Sequence, residues 1–340
     1  MKNIPKKRIP YLDLLKFFAI SSVLLGHSVE QTTGNDFWDN PIWEFIYSYH
    51  MPLFMMLCGY FFNSSLKLSF KDMIGKKFVQ LMIPAISAWV LMYLFVTLTN
   101  YNPYPEIVDL SWMGFMNALW FLKSVFFCYL IGWIFIKVFK NAWLSAILSS
   151  VIALFSPLCN IDSINFMLPM FWMGHLLQQH QSWIDKHRKT LLMSSLLAFI
   201  AMLPFWSGRL TVYMVPIQFF DWNTFAFDCN NLGITIYRMA IGMTGSMFFF
   251  MLAPWVYNHI SDWRITPVFN QLGKCTLGLY WTQTFLLECT WHSIGLYVNT
   301  PATFIVGPSI SIMEMVVCYQ AILLIRKSKY TRLLFLGEKS

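Results

Sequence analysis

The stretch DLLKFFAISSVLLGH, residues 13–27, is apolar enough to cross a membrane, yet it carries Asp13 and Lys16 near one end and His27 at the other. A helix turns about 100° per residue, so the step of 11 residues from Lys16 to His27 is about three full turns. The two side chains share a face roughly 16 Å apart. On the same wheel Asp13 lies about 60° to one side of Lys16, and Glu30 about 40° to the other. Ionisable groups cost roughly 2.5–3.5 kcal/mol each in hydrocarbon on insertion scales, so a stripe of four must face a protein interior or a wet cavity. The first helix is therefore expected to line a pathway.

The rest of the chain agrees with a membrane setting. Its 340 residues are 57% hydrophobic, 18% aromatic and only 12% charged, with a mean hydropathy of +0.54, where soluble domains average about 25% charged. About 20 apolar residues are needed per helical crossing. Apolar runs predict helices at about 9–29, 41–62, 78–99, 119–139, 142–158, 165–179, 190–207, 232–256, 272–291 and 303–325. The fold expected is all-α: one polytopic helix bundle over residues 1–340, with about ten crossings. The opening MKNIPKKR imitates a signal peptide, but no small-residue cleavage site follows His27, so the first segment is expected to be retained.

The net charge of +8 is not a nucleic-acid signature, because the basic residues sit in loops between apolar runs. Lys2, Lys6, Lys7 and Arg8, then Lys67, Lys71, Lys76 and Lys77, then Lys186, Arg188 and Lys189 alternate with loops that hold Asp36, Asp39, Glu106, Asp109, Asp162 and Asp221. Arg209 is the one basic residue on the acidic side. By the positive-inside rule both termini are expected in the cytoplasm. The outer loop at about 208–231 is long enough for a partial lid. Trp38, Trp206, Trp222 and Trp291 fit an interfacial belt. The seven cysteines lack metal-ligand spacing and read as small apolar packing groups. His175, His180, His187, His259 and His292 form no metal-like pattern.

His27 is the side chain best suited to exchange protons near neutral pH, and Glu30, one turn on, is placed to orient it. Arg238, Lys123, Trp120 and Tyr60 lie within predicted helices and are candidates for stabilising an oxyanion or lining a substrate cavity. Glu44, Glu288 and Glu314 are available to pair with the buried cations. Pro52 should kink its helix and free backbone groups, and His50 is expected to cap them rather than do chemistry.

Five stretches give the chain a family likeness: RIPYLDLLKFFAISSVLLGH (8–27), YSYHMPLFMMLCGYFF (47–62), KKFVQLMIP (76–84), ALWFLKSVFF (118–127) and LGKCTLGLYWTQ (272–283). Together they resemble the bacterial family-3 membrane acyltransferases over essentially the whole length. The resemblance implies a multi-pass protein of the bacterial plasma membrane. It also implies that a cytoplasmic acyl-CoA, usually acetyl-CoA, serves as donor substrate with no permanently bound cofactor. The acceptor is a hydroxyl of a surface polysaccharide or glycolipid, and His27 matches the family's catalytic histidine. Lys16, Lys76 and Lys77 are then the candidates for the donor's phosphates. The chain departs from the family pattern at Lys16, where many relatives have arginine, and at Gln80 and Gln283, where a basic residue and a histidine are common. His27 acting as general base and a transient acyl-histidine are both open. A transporter or export component for a glycan or lipid, using the same polar cavity as a conduit, is the alternative.

Overall fold

The computed structural model describes residues 8–99, 114–115, 118–215, 217–289 and 297–338. Glu106, Asp109, Trp291, His292 and the side chain of Glu288 lie outside the described residues. Among the described residues seven helices are long and apolar enough to cross a membrane, or eight when the bent pair Ala142–Phe155 and Pro157–Gln179 counts as one span. Among the described residues the bundle's regular structure is helical apart from a two-stranded antiparallel hairpin, with Phe220 opposite Phe227 and Asp221 opposite Ala226.

Two elements occupy the centre. The first helix, Pro10–Thr33, has 67% of its apolar window buried, and the second span, Pro41–Leu66, has 83%; the helix from Gln181 has 11% and faces outward. Pro10 starts the first helix, where its fixed φ suits the first turn. The second span starts at Asn40, whose side chain accepts from the Ile42 and Trp43 amides, and breaks between Tyr47 and His50. Pro52 has no N–H for the carbonyl of Ser48, which accounts for the break. There His50 Nδ1 donates to Ile46 O at 2.8 Å, the capping role its position suggests.

The second half of that span, His50–Tyr60, meets the helix Ile164–Gln179 backbone to backbone. A Cβ added at Gly59 would lie 1.8 Å from the Phe171 carbonyl oxygen, and one at Gly174 would lie 1.8 Å from that of Met56. Small residues allow such contact where no hydrophobic force drives helices together in lipid.

Several boundaries differ from the sequence expectation. The third span begins at Phe70 and passes through a π-helical turn, Phe78–Met82, ahead of Pro84, where the missing N–H again disturbs the ladder. The helix expected at 190–207 begins at Gln181, because QSWIDKHRK is helical despite its polarity. Two short helices, Thr266–Gly273 and Lys329–Leu336, were not expected.

Candidate active site at the first helix

One turn of helix places His27 and Glu30 side by side: His27 Nδ1 lies 2.7 Å from Glu30 Oε2. The second span completes the setting. Trp43 Nε1 donates to Glu30 Oε1 at 2.8 Å, and the Tyr47 hydroxyl donates to the same oxygen. Trp43 and Tyr47 are also one turn apart, and their rings stack 3.9 Å between centroids. Glu30 thus receives a neutral donor pair on one oxygen and the imidazole on the other. An ionised carboxylate only accepts, so the proton of a neutral His27 ring sits on Nδ1 and Nε2 carries the basic lone pair.

A second carboxylate lies beside this pair. Ser28 Oγ is 3.2 Å from Glu314 Oε2. Glu314 is 1% exposed, its Oε1 has no hydrogen-bond partner among the described residues, and it lies close enough to His27 for their charges to interact. The sequence offered Glu314 only as a structural counter-ion, and nothing local links it to a histidine 287 positions away (314 − 27).

At the other end of the stripe Lys16 Nζ sits 3.3 Å from Asp13 Oδ1 and 4.6 Å from the centre of the Phe61 ring. Asp13 is buried and also pairs with Arg8 at 3.5 Å. Lys77 stands over the Tyr129 ring at 3.5 Å, and the Tyr129 hydroxyl donates to Cys58 O at 2.9 Å. Lys16 and Lys77 both lie within electrostatic reach of Cys58. Lys76 and Lys77 both close the helix Phe70–Lys77, with Lys77 half-buried and Lys76 exposed.

Between the two ends lies an apolar cavity of about 210 Å³ lined by Ile20, Val23, Cys58, Phe121, Leu122 and Tyr280, among others. Lys16, Ile20, Val23 and His27 follow one another at helical spacing of four, three and four residues. The cavity thus sits on the same face of the first helix, above Lys16 and below His27.

The remaining candidates separate. Lys123 is sealed in the protein: its Nζ donates to the carbonyls of Phe115 and Ala118 at 2.6 Å and stands 3.6 Å from Asp162 Oδ1. That corrects its expected role at the oxyanion, because a buried cation tied to a carboxylate and two carbonyls is a structural pair. Tyr60 stands apart from His27. Its hydroxyl donates to Gln181 Oε1 at 2.8 Å, beside Phe61 and Tyr11, at the Lys16 end of the bundle rather than near His27. Trp120 touches the ring of Tyr213, which stacks on Tyr47, so it belongs to the His27 end. Arg238 is buried beneath the hairpin, with Nη1 donating to Val215 O at 3.2 Å and its guanidinium over Phe166. Gln283 is fully buried and bonded to Tyr280 O and Thr284 Oγ1.

The chain matches, over residues 9–320, the family model described as an acyltransferase domain. It is similar to the nodulation protein NolL of Sinorhizobium fredii, 27% identical over 302 residues, covering 82% of this chain and 78% of that protein. A nodulation protein NolL of Mesorhizobium japonicum is 29% identical over 187 residues, half of this chain and 48% of the relative. No solved structure gives a significant match.

Proposed function

The chain belongs to the acyltransferase-domain family and is a multi-pass membrane acyltransferase, and from that premise we propose that it carries an acyl group, acetyl by family resemblance, from cytoplasmic acyl-CoA to a sugar hydroxyl of a surface polysaccharide or glycolipid. The observation that carries this reading is the order along one face of the first helix: Lys16, an apolar cavity against Ile20 and Val23, then a carboxylate-oriented histidine. The excess of lysine and arginine in the loops at the Lys16 end supports a cytoplasmic face there, with both termini on that side of a bacterial plasma membrane.

Coenzyme A carries its negative charges on the nucleotide end, a load that stays out of hydrocarbon and rests on Lys16, Lys76 and Lys77. The uncharged pantetheine arm threads the apolar cavity and presents the thioester carbonyl to His27. A sugar hydroxyl arriving from the opposite side gives its proton to His27 Nε2 as its oxygen attacks that carbonyl. Collapse of the tetrahedral intermediate breaks the C–S bond, and the departing thiolate takes the proton from the imidazolium. Glu30 holds the Nδ1 proton throughout and stabilises the ring while it is charged, and such a positioned base contributes about 10²- to 10⁴-fold. Lys16 in place of arginine meets a phosphate as a point charge rather than as a planar fork.

The test is mass spectrometry of surface glycans from deletion, wild-type and His27→Ala strains, with the variant protein shown to insert. Loss of one acyl substituent in the deletion and in His27→Ala supports the reading. Full acylation in the His27→Ala strain overturns it, and altered glycan export with acylation intact points to a transporter.

A further inference from the structure

Arg238 stands apart from the machinery described so far. It is 4% exposed and forms no ion pair among the described residues, and its Nε has no hydrogen-bond partner there. A guanidinium this deep in a membrane protein, held by one backbone carbonyl, is costly unless an anion meets it. It lines a cavity of about 320 Å³ whose walls are polar and aromatic: Asn160, Asn165 and Gln218 with Phe155, Phe219 and Trp222.

The cavity is built where the chain departs from regular structure. Its floor is the break at which Ala142–Phe155 and Pro157–Gln179 turn through 96°, and irregular backbone at membrane depth is tolerated where it lines a wet cavity. Its roof is the hairpin Phe220–Phe227, pinned by Trp222 Nε1 donating to Phe155 O at 2.7 Å. Asn165 Nδ2 donates to Asn160 Oδ1 at 2.7 Å, fixing both amides. Asp221, the one acid in the wall, accepts from the Asn223 amide and the Thr224 hydroxyl, both at 2.8 Å, which fix its carboxylate within the hairpin.

A run of ring contacts leads from Arg238 to the candidate active site. The Arg238 guanidinium faces Phe166 at 5.8 Å, Phe166 stacks on Tyr213 at 5.6 Å, Tyr213 stacks on Tyr47 at 6.2 Å, and Tyr47 donates to Glu30.

We propose that this cavity is the acceptor subsite and that it takes a sugar bearing a carboxylate, of the uronate type, gripped by Arg238. The amides and aromatic faces suit sugar hydroxyls and C–H surfaces. With Nη1 engaged by Val215, the Nε side of the fork remains to grip a planar carboxylate. The inference rests on the acyl-transfer reading, because it supplies the acceptor to the same His27.

The experiment titrates purified full-length protein in lipid nanodiscs with trigalacturonate and with the neutral trimer maltotriose. The acidic trimer is expected to bind at least about 10-fold tighter, and Arg238→Gln to erase that preference while Arg238→Lys keeps part of it. Trp222→Ala, on the half-exposed roof, is expected to weaken both sugars several-fold and serves as the second variant should Arg238→Gln fail to fold. Equal binding of the two trimers to the wild-type chain, or a preference that survives Arg238→Gln, overturns the proposal. Sugar indifference alongside intact His27-dependent acyl transfer overturns this subsite alone. An intact preference for the acidic trimer with His27-independent acylation overturns the transfer reading instead.

Discussion

Within the first helix, half of the candidate site is visible as spacing: Glu30 follows His27 by three residues, and both lie on the stripe that starts at Lys16. What fixes the protonation geometry is not visible there, because Trp43 and Tyr47 reach Glu30 only through tertiary packing. This division makes a prediction at the level of one atom. Glu30→Gln keeps the shape of the acceptor but loses the charge that holds the Nδ1 proton and balances the imidazolium. Acyl transfer should fall about 10²-fold, the low end of the range for a positioned acid-base group, and His27→Ala should fall by about 10²- to 10⁴-fold. CoA release by purified protein supplied with acetyl-CoA and an acceptor glycan measures both. A Glu30→Gln enzyme as fast as wild type would remove Glu30 from the proposed machinery.

Elements, rather than single residues, account for most differences between the sequence reading and the fold. Apolar length locates spans well, but it cannot see helix that continues beyond the apolar run, as at Gln181, or short amphipathic helices such as Lys329–Leu336. Nor does it show which glycines let helices touch. At Gly59 and Gly174 the added methyl of alanine would enter a neighbouring carbonyl, and neither backbone can move without dragging a helix. Gly59→Ala and Gly174→Ala should each destabilise the purified protein by about 1–3 kcal/mol or more, the range for overpacking, read by denaturant unfolding in detergent. The loop carrying Arg209 makes a second element-level case. Arg209 grips Asp39 through two nitrogens, at 2.6 and 2.9 Å, and these bonds hold the Asp39 carboxyl below its ordinary range. A carboxyl with a lowered folded pKa gives its full contribution above the unfolded value, about 3.9, and loses it as pH falls through the lowered value. A nitroxide on Leu210→Cys should therefore be immobile near neutral pH and gain mobility only in strong acid. Adding Asp39→Asn should release it at neutral pH, and a label equally immobile with and without Asp39 would show that the clamp does not hold the loop.

For the whole molecule, the stripe on the first helix has a direction only if the bundle does, since in the proposed transfer donor and acceptor arrive from opposite sides. Length and composition place seven or eight spans, and the helix Thr276–Cys289 is too short within its described residues to be counted by length. Charge supplies what length cannot: lysines gather at the loops level with Lys16, while Arg209 and its partner Asp39 lie at the other end with the hairpin. The positive-inside rule then puts Lys140 in the cytoplasm and Leu210 outside. In a chain whose exposed Cys229 is replaced by serine, Leu210→Cys should react with a membrane-impermeant maleimide in intact spheroplasts. Lys140→Cys should react only after permeabilisation. The reverse pattern would turn the bundle over and put the lysine pair on the side without acyl-CoA. Labelling of both positions from outside would put Lys140 and Leu210 on one side of the membrane, which would undo the opposed entry of donor and acceptor on which the proposed transfer depends.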